Sequence, residues 1–161
     1  GRLSVPAVLD RSPLNTQDTE AFTGAMRPGS VALDAPIALA GGRSWLLSTL
    51  GGGHHFSGLY FLGEGERPSG EHLRAFTWLA ENEVPVVTLT VVGQADVAGY
   101  TPLEARPEIG DHSGLIARRY DGQPGTYYLL RPDQHVVARW RRFDQEAVTA
   151  ALRRAPGQAE T

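Results

Sequence analysis

The 161-residue sequence contains no cysteine. Disulfides, thiolate nucleophiles, Cys-ligated zinc and iron–sulfur clusters are excluded with it. Lysine is absent as well: all 15 basic residues are arginine, a usage that points to a high-GC bacterial gene rather than to a site. There is no basic excess either, because the formal net charge is -3. A general nucleic-acid binder is expected to be basic, so no nucleic-acid partner is expected. The longest nearly apolar run, Val84 to Val92, falls far short of the ~20 residues a bilayer span needs, and no membrane partner is expected. No secretory apolar segment follows the N-terminus, so the expected location is cytoplasmic. The first residue is Gly1 rather than Met, as expected of a fragment.

What is present is an ordinary globular composition, 41% hydrophobic and 20% charged. A chain this long can bury roughly 70% of its unfolded surface around one core. Residues 2–35 show no sustained period and carry Pro6, Pro13, Pro28 and Gly29. They read as an extended arm, either mobile or pinned to another surface. The expected division is an arm over 1–35, a domain over 36–155 and a tail over 156–161.

Within the domain, apolar patterning predicts a strand over Ala35–Ala40, a helix capped by Ser44 through Leu50, and a strand over Phe56–Leu62. A helix opening at Ser69 or Gly70 runs to Asn82, with Leu73, Phe76, Leu79 and Ala80 on one face. The β-branched run Val84–Val92 reads as a strand covered on both faces. After a loop with Gly93, Gly99, Pro102 and Pro107, Asp111 is expected to cap a helix through Tyr120. Thr126–Arg131 and His135–Arg141 form a hairpin across Pro132-Asp133-Gln134. Asp144 caps a last helix with Ala147, Val148, Ala151 and Leu152 on one face. Arg153 and Arg154 sit at its end, where the dipole favours cations, and Pro156-Gly157 stops it. Alternating βαβ units followed by a hairpin predict an α/β fold, a mixed sheet with helices on both faces. The order of elements resembles that of the thioredoxin fold.

In a thioredoxin-like enzyme the redox Cys-x-x-Cys lies between the second strand and the second helix. Here that loop reads Gly63-Glu64-Gly65-Glu66-Arg67-Pro68-Ser69, with no redox cysteines. A fold never guarantees its usual activity. Pro124 falls near the position of the thioredoxin cis-proline, yet Gly125 intervenes, and an ordinary trans turn is an equal reading. Gly63-Glu64-Gly65 lacks the GxGxxG spacing and puts two glutamates where a pyrophosphate would sit. Gly51-Gly52-Gly53 follows a helix and reads as its stop. His54 and His55 are neighbours, and His72, His112 and His135 are scattered, so no metal is expected. Arg118, Arg119, Arg139, Arg141 and Arg142 could form a basic patch. Strand alternation puts Arg139 and Arg141 on one face, read as solvated, and Val136, Ala138 and Trp140 on the other. Trp78 lies away from the apolar face of its helix and is read either as an interface residue or as scattered surface.

The stretches Asp111-His112-Ser113-Gly114-Leu115, Arg119-Tyr120-Asp121 and Leu130-Arg131-Pro132-Asp133-Gln134-His135-Val136-Val137-Ala138-Arg139-Trp140 carry a further resemblance. They are similar to the C-terminal domain of FAD-dependent aromatic hydroxylases of the phenol hydroxylase and 3-(3-hydroxyphenyl)propionate hydroxylase type, class A flavoprotein monooxygenases. Pro28-Gly29 and Asp34-Ala35-Pro36 look like that domain's entry, and Arg2-Leu3-Ser4 resembles the chain leaving the substrate domain. The resemblance takes in most of residues 28–154 and is strongest in the last third. It implies a thioredoxin-like domain without redox cysteines that contributes to subunit contacts. FAD and NAD(P)H would then be held by other domains of a parent protein, and no catalytic, cofactor or metal residue carries over to this chain. The signature residues Asp111, Gly114, Leu115, Tyr120, Arg131, Pro132, Asp133, Arg139 and Trp140 read as structural. Pro132 presets a turn, Asp133 bonds the following backbone, Asp111 caps a helix and Trp140 fills a sheet face.

Three functions are therefore expected in descending order. The first is a non-catalytic C-terminal domain or fragment of an FAD-dependent aromatic-ring monooxygenase. Its partners would be the parent's flavin-binding and substrate domains and a second copy in a homo-oligomer. The second is a free-standing cysteine-less thioredoxin-like binding module. The third is a small enzyme using the His54-His55 region.

Overall fold

A computed structural model describes residues 14–39, 42–50, 55–94 and 108–155. His54, Gly51-Gly52-Gly53, Gly99, Pro102, Pro107 and Pro156-Gly157 lie outside the described residues, as do Arg2-Leu3-Ser4, Pro6 and Pro13.

Among the described residues seven strands form one sheet: β1 (Pro36–Leu39), β2 (Gly42–Trp45), β3 (Phe56–Phe61), β4 (Val86–Gly93), β5 (Glu108–Asp111), β6 (Tyr127–Leu130) and β7 (Val136–Trp140). Their order is β2-β1-β5-β4-β3-β6-β7. β3, β4 and β5 are parallel, while β1, β2, β6 and β7 join antiparallel. Among the described residues four α-helices lie on the faces: α1 (Leu46–Thr49), α2 (Gly70–Ala80), α3 (Leu115–Tyr120) and α4 (Gln145–Arg154).

Strand alternation sorts the core into two layers. Leu59, Phe61, Leu89, Val91, Tyr128 and Leu130 point to one face, where Leu46 of α1 and Ile116 of α3 cover them. Phe56, Tyr60, Val86, Tyr127 and Leu129 point to the other, under Phe76 and Leu79 of α2 and Val148 and Leu152 of α4. The expected mixed sheet with helices on both faces is the observed one. Local chemistry sets the two long helices. Ser69 Oγ accepts from His72 N at 3.1 Å at the start of α2. Asp144 Oδ1 accepts from Glu146 N at 3.0 Å and Ala147 N at 3.4 Å at the start of α4.

Several expectations are corrected. The first unit is not strand–helix–strand with parallel pairing. β1 and β2 form an antiparallel hairpin, and α1 is a single turn of four residues. β1 also runs antiparallel to β5, Ile37 opposite Asp111. The sequence predicts loop and helix start where β5 lies. Glu108-Ile109-Gly110-Asp111 has one apolar residue, and its burial comes from lying between β4 and β1. Asp111 therefore ends a strand, and α3 begins only at Leu115. On α2, Phe76 and Leu79 are buried as expected, but Ala75 is buried with them and Ala80 is exposed. Finally, the β6–β7 register shifts between Leu129 and Leu130. That bulge turns Val136 to the face of Leu130 and Tyr128, while Ala138 and Trp140 stay on the opposite side.

Residues 14–32 lie along β7. Thr16 N donates to Val137 O at 3.0 Å, Gly29 N to Val136 O at 2.7 Å and Ala32 N to Gln134 O at 2.8 Å. Val31 and His135 form an isolated antiparallel bridge. The arm thus takes hydrogen bonds that an edge strand would otherwise offer to another chain.

Candidate functional site

The carboxyl ends of parallel strands are where an open α/β sheet usually works. Here β3 runs into the Gly63–Ser69 loop. Glu66 N donates to Gly63 O at 3.0 Å, and Gly65 sits at φ 73, so the loop is a tight turn. The Glu66 side chain folds over Gly63: a Cβ built there would land on its carboxylate, 3.0 Å from Cδ. A cavity of about 490 Å³ opens nearby, lined by Phe61, Glu64, Val92, Asp111, Ser113 and Gly122. Its one buried acid is already used. Asp111 Oδ1 accepts from Ile116 N at 2.7 Å and Oδ2 from Ala117 N at 3.0 Å, so the strand end supplies the anion that caps α3. Ser113 and Gly114 between them sit at φ 56 and 71, and glycine takes that left-handed conformation without strain. Among the described residues that line the cavity, no nucleophile is paired with a base. Among the described residues no peptide bond is cis, that of Pro124 included.

The structure divides the signature residues into groups. Asp111, Gly114 and Leu115 form the α3 entry. Arg131, Pro132 and Asp133 form the hairpin turn, where Asp133 accepts from His135 N at 3.2 Å and from Arg131 Nη2 at 2.8 Å. Trp140 sits in the layer under α4. Tyr120 and Arg139 meet through Tyr128. The Tyr120 hydroxyl donates to Leu33 O at 2.7 Å, the Tyr128 hydroxyl donates to Tyr120 O, and the two rings pack edge to face at 5.2 Å. Burial pushes the Tyr128 phenol up to about 12, with Arg139 acting against it. Burial pushes Tyr120 and Tyr127 further up. These phenols stay protonated at neutral pH, and those of Tyr120 and Tyr128 serve as donors, not as bases.

Arg139 and Arg141 do not form a solvated basic face. Arg139 is 5% exposed and pairs with Asp18 at 2.7 Å. Arg141 pairs with Asp121, and both guanidiniums lie over the Phe22 ring, at 4.4 and 3.8 Å. Asp18 and Phe22 were not singled out from the sequence. They sit more than a hundred residues from their partners, and no local pattern announces such a pair.

Trp78 is 46% exposed and stands beside a groove of about 970 Å³ between α2 and α4. The groove also presents His72, Phe143, Glu71, Glu146, Arg142 and Arg153. His72 Nδ1 lies 3.1 Å from the Tyr60 hydroxyl, and its ring packs edge to face on Phe143 at 5.3 Å. An exposed indole next to a partly apolar groove rimmed by both signs of charge suits protein contact better than chemistry. Among the described residues, no three His, Asp or Glu side chains converge as a metal would require. No helix among them is long and apolar enough to cross a membrane.

No family model matches the sequence, and no curated protein matches it. Solved structures do match. Aklavinone-11 hydroxylase, in a ternary complex with FAD and aklavinone, superposes with a TM-score of 0.62 at 20% identity, over 90% of this chain and 25% of that one. The flavin-dependent monooxygenase PieE, in complex with FAD and substrate, superposes with a TM-score of 0.59 at 20% identity, over 89% of this chain and 24% of that one. The chain thus spans about a quarter of each enzyme. A cysteine-to-serine mutant of the peroxiredoxin PrxQ from Xylella fastidiosa matches with a TM-score of 0.58 at 19% identity, over 81% of this chain and 98% of its own. The fold is thioredoxin-like, without a cysteine.

Proposed function

We propose that this chain is the C-terminal thioredoxin-like domain, or a fragment, of an FAD-dependent aromatic-ring monooxygenase, with a structural, non-catalytic role. The observation that carries this reading is the reach of the likeness. The two flavin enzymes match 90% and 89% of the chain, against 81% for the peroxiredoxin. A match over 90% of 161 residues leaves out about 16, fewer than the 35 of the arm, so it takes in part of the arm that lies on β7. The signature residues support it, since each caps, turns or packs. In this reading FAD and NAD(P)H belong to other domains of the parent, and the partners are those domains and a second copy. The groove between α2 and α4, with Trp78 at its rim, is the contact surface. Its mixed charges suit a self-complementary pairing.

The second reading, a free-standing cysteine-less binding module, is favoured by one observation: the peroxiredoxin is matched over 98% of its own length. The gene separates the two. An open frame carrying GxGxxG and running uninterrupted into Arg2 is expected under the first reading; a stop codon followed by a start codon there would overturn it. Titration of the chain with FAD is expected to leave flavin fluorescence unchanged, whereas stoichiometric binding at micromolar FAD would move the flavin site into this domain.

A further inference from the structure

Residues 17–25 cross the sheet as an exposed strap between two fastened stretches. On one side Asn15 is buried and Thr16 N bonds Val137 O at 3.0 Å. On the other, Met26 and Ser30 are buried, Gly29 N bonds Val136 O at 2.7 Å and Val136 N bonds Ser30 O at 2.8 Å. Between these anchors the strap holds on through charge and one ring. Asp18 takes Arg139 Nε at 3.0 Å and Arg139 Nη2 at 2.7 Å. Glu20 Oε1 accepts from Arg141 N at 3.0 Å, Ala21 O from Arg141 Nε at 3.1 Å, and Asp121 Oδ2 from Thr23 N at 2.8 Å. Phe22 lies under both guanidiniums and is the one half-buried side chain of the strap.

This is how a peptide ligand sits on a receptor. A guanidinium as buried as Arg139 needs a carboxylate, and the strap delivers one. Forked guanidinium–carboxylate pairing and guanidinium–ring stacking are specific in geometry. The strap's one apolar hold is Phe22, which packs against the core edge to face on Tyr128 at 6.1 Å, while the rest of the strap is exposed. Such segments open at low free energy while their anchors stay closed. The site also has unused capacity, because Arg139 Nη1 is buried and finds no acceptor among the described residues. Asp121, paired with Arg141, is the acid that remains when the strap leaves.

We propose that the strap is an internal ligand, and that Arg139 and Arg141 beneath it form a docking site for an acidic, Phe-bearing segment of a partner protein. The strap holds the site in cis, where tethering gives it an effective concentration in the millimolar range. A partner engages only by displacing it.

The probe is a fluorescein-labelled peptide with the sequence of Gln17 to Thr23, added to the full chain. Asp18→Ala/Glu20→Ala/Phe22→Ala is expected to bind it about tenfold or more tightly than the unaltered chain, by loss of the internal competitor. Adding Arg139→Gln to that variant is expected to abolish binding. Equal binding by variant and unaltered chain, or none by a variant with unaltered circular dichroism, overturns the proposal. If the variant does not fold, hydrogen exchange on the unaltered chain decides. The Thr23 and Arg141 amides are expected to exchange about tenfold faster than those of Gly29 and Val136. Equal rates mean that the strap opens only with its anchors, and the proposal fails.

Discussion

Gly58 sits in the middle of β3, and the effect of Gly58→Ala separates propensity from packing. Propensity alone predicts a gain, since glycine inside a strand costs roughly 0.5–1 kcal/mol relative to alanine. The structure reverses the sign. A Cβ on Gly58 would land on the Tyr127 hydroxyl, 2.5 Å from Cζ and 2.9 Å from Thr88 Oγ1. Tyr127 is fully buried, and Phe143 and Phe76 hold its ring at 4.9 and 6.1 Å between centroids. The ring cannot retreat without breaking its 2.9 Å hydrogen bond to Thr88. Overpacking costs about 1–3 kcal/mol, and two buried polar groups left without each other cost about 1–3 more. After the propensity gain, a loss of roughly 1–5 kcal/mol remains. For a chain of this size that lowers Tm by roughly 2–20 °C. The assay is urea and thermal unfolding of four proteins: unaltered, Gly58→Ala, Tyr127→Phe and the double variant. Removing the phenol oxygen frees part of the space, so the double variant is expected to be more stable than additivity gives, by about 1–2 kcal/mol. An unchanged or raised Tm for Gly58→Ala, or strict additivity, would refute the reasoning.

Further outcomes follow from the same geometry. Burial pushes the Asp121 carboxyl up, but the Thr23 amide and the Arg141 guanidinium outweigh it and hold the group below its ordinary value. Its stabilisation is present above the ordinary carboxylate pKa of about 4 and is lost as pH falls through the lower folded value. Asp121→Asn should flatten the acid limb of a Tm–pH curve, and an unaltered limb would count against the network. Burial raises Tyr128 to about 12. Stability linked to it is full below the unfolded tyrosine pKa of about 10 and lost as pH rises through the folded value. Phenolate absorbance should therefore appear late and together with unfolding. Trp78→Ser should weaken any self-association seen by sedimentation equilibrium, and identical association constants would remove Trp78 from the contact. Insulin reduction by dithiothreitol should run at the same rate with or without the protein; acceleration would contradict the thiol-free loop.

Periodicity and punctuation alone determined strands β3, β4, β6 and β7 and the two long helices. Phe56–Phe61, Val86–Gly93 and the Tyr127–Trp140 hairpin are apolar enough that any fold must bury them, and Ser69 and Asp144 announce their helices locally. The missing cysteine likewise excludes thiol chemistry by composition alone, whatever the fold. Other features depend on contacts between residues far apart in the chain. Glu108–Asp111 is a strand because β4 and β1 flank it, not because its residues favour one. The Leu129/Leu130 register shift, which moves Val136 across the sheet, leaves no mark in the alternation of apolar residues. Arg139 and Arg141 read as a solvated face because strand alternation knows nothing of the arm. Only folding brings Asp18 and Phe22 across 121 and 117 positions to cover Arg139. A buried cation is stable only where such a partner reaches it, and that is a property of the assembled structure.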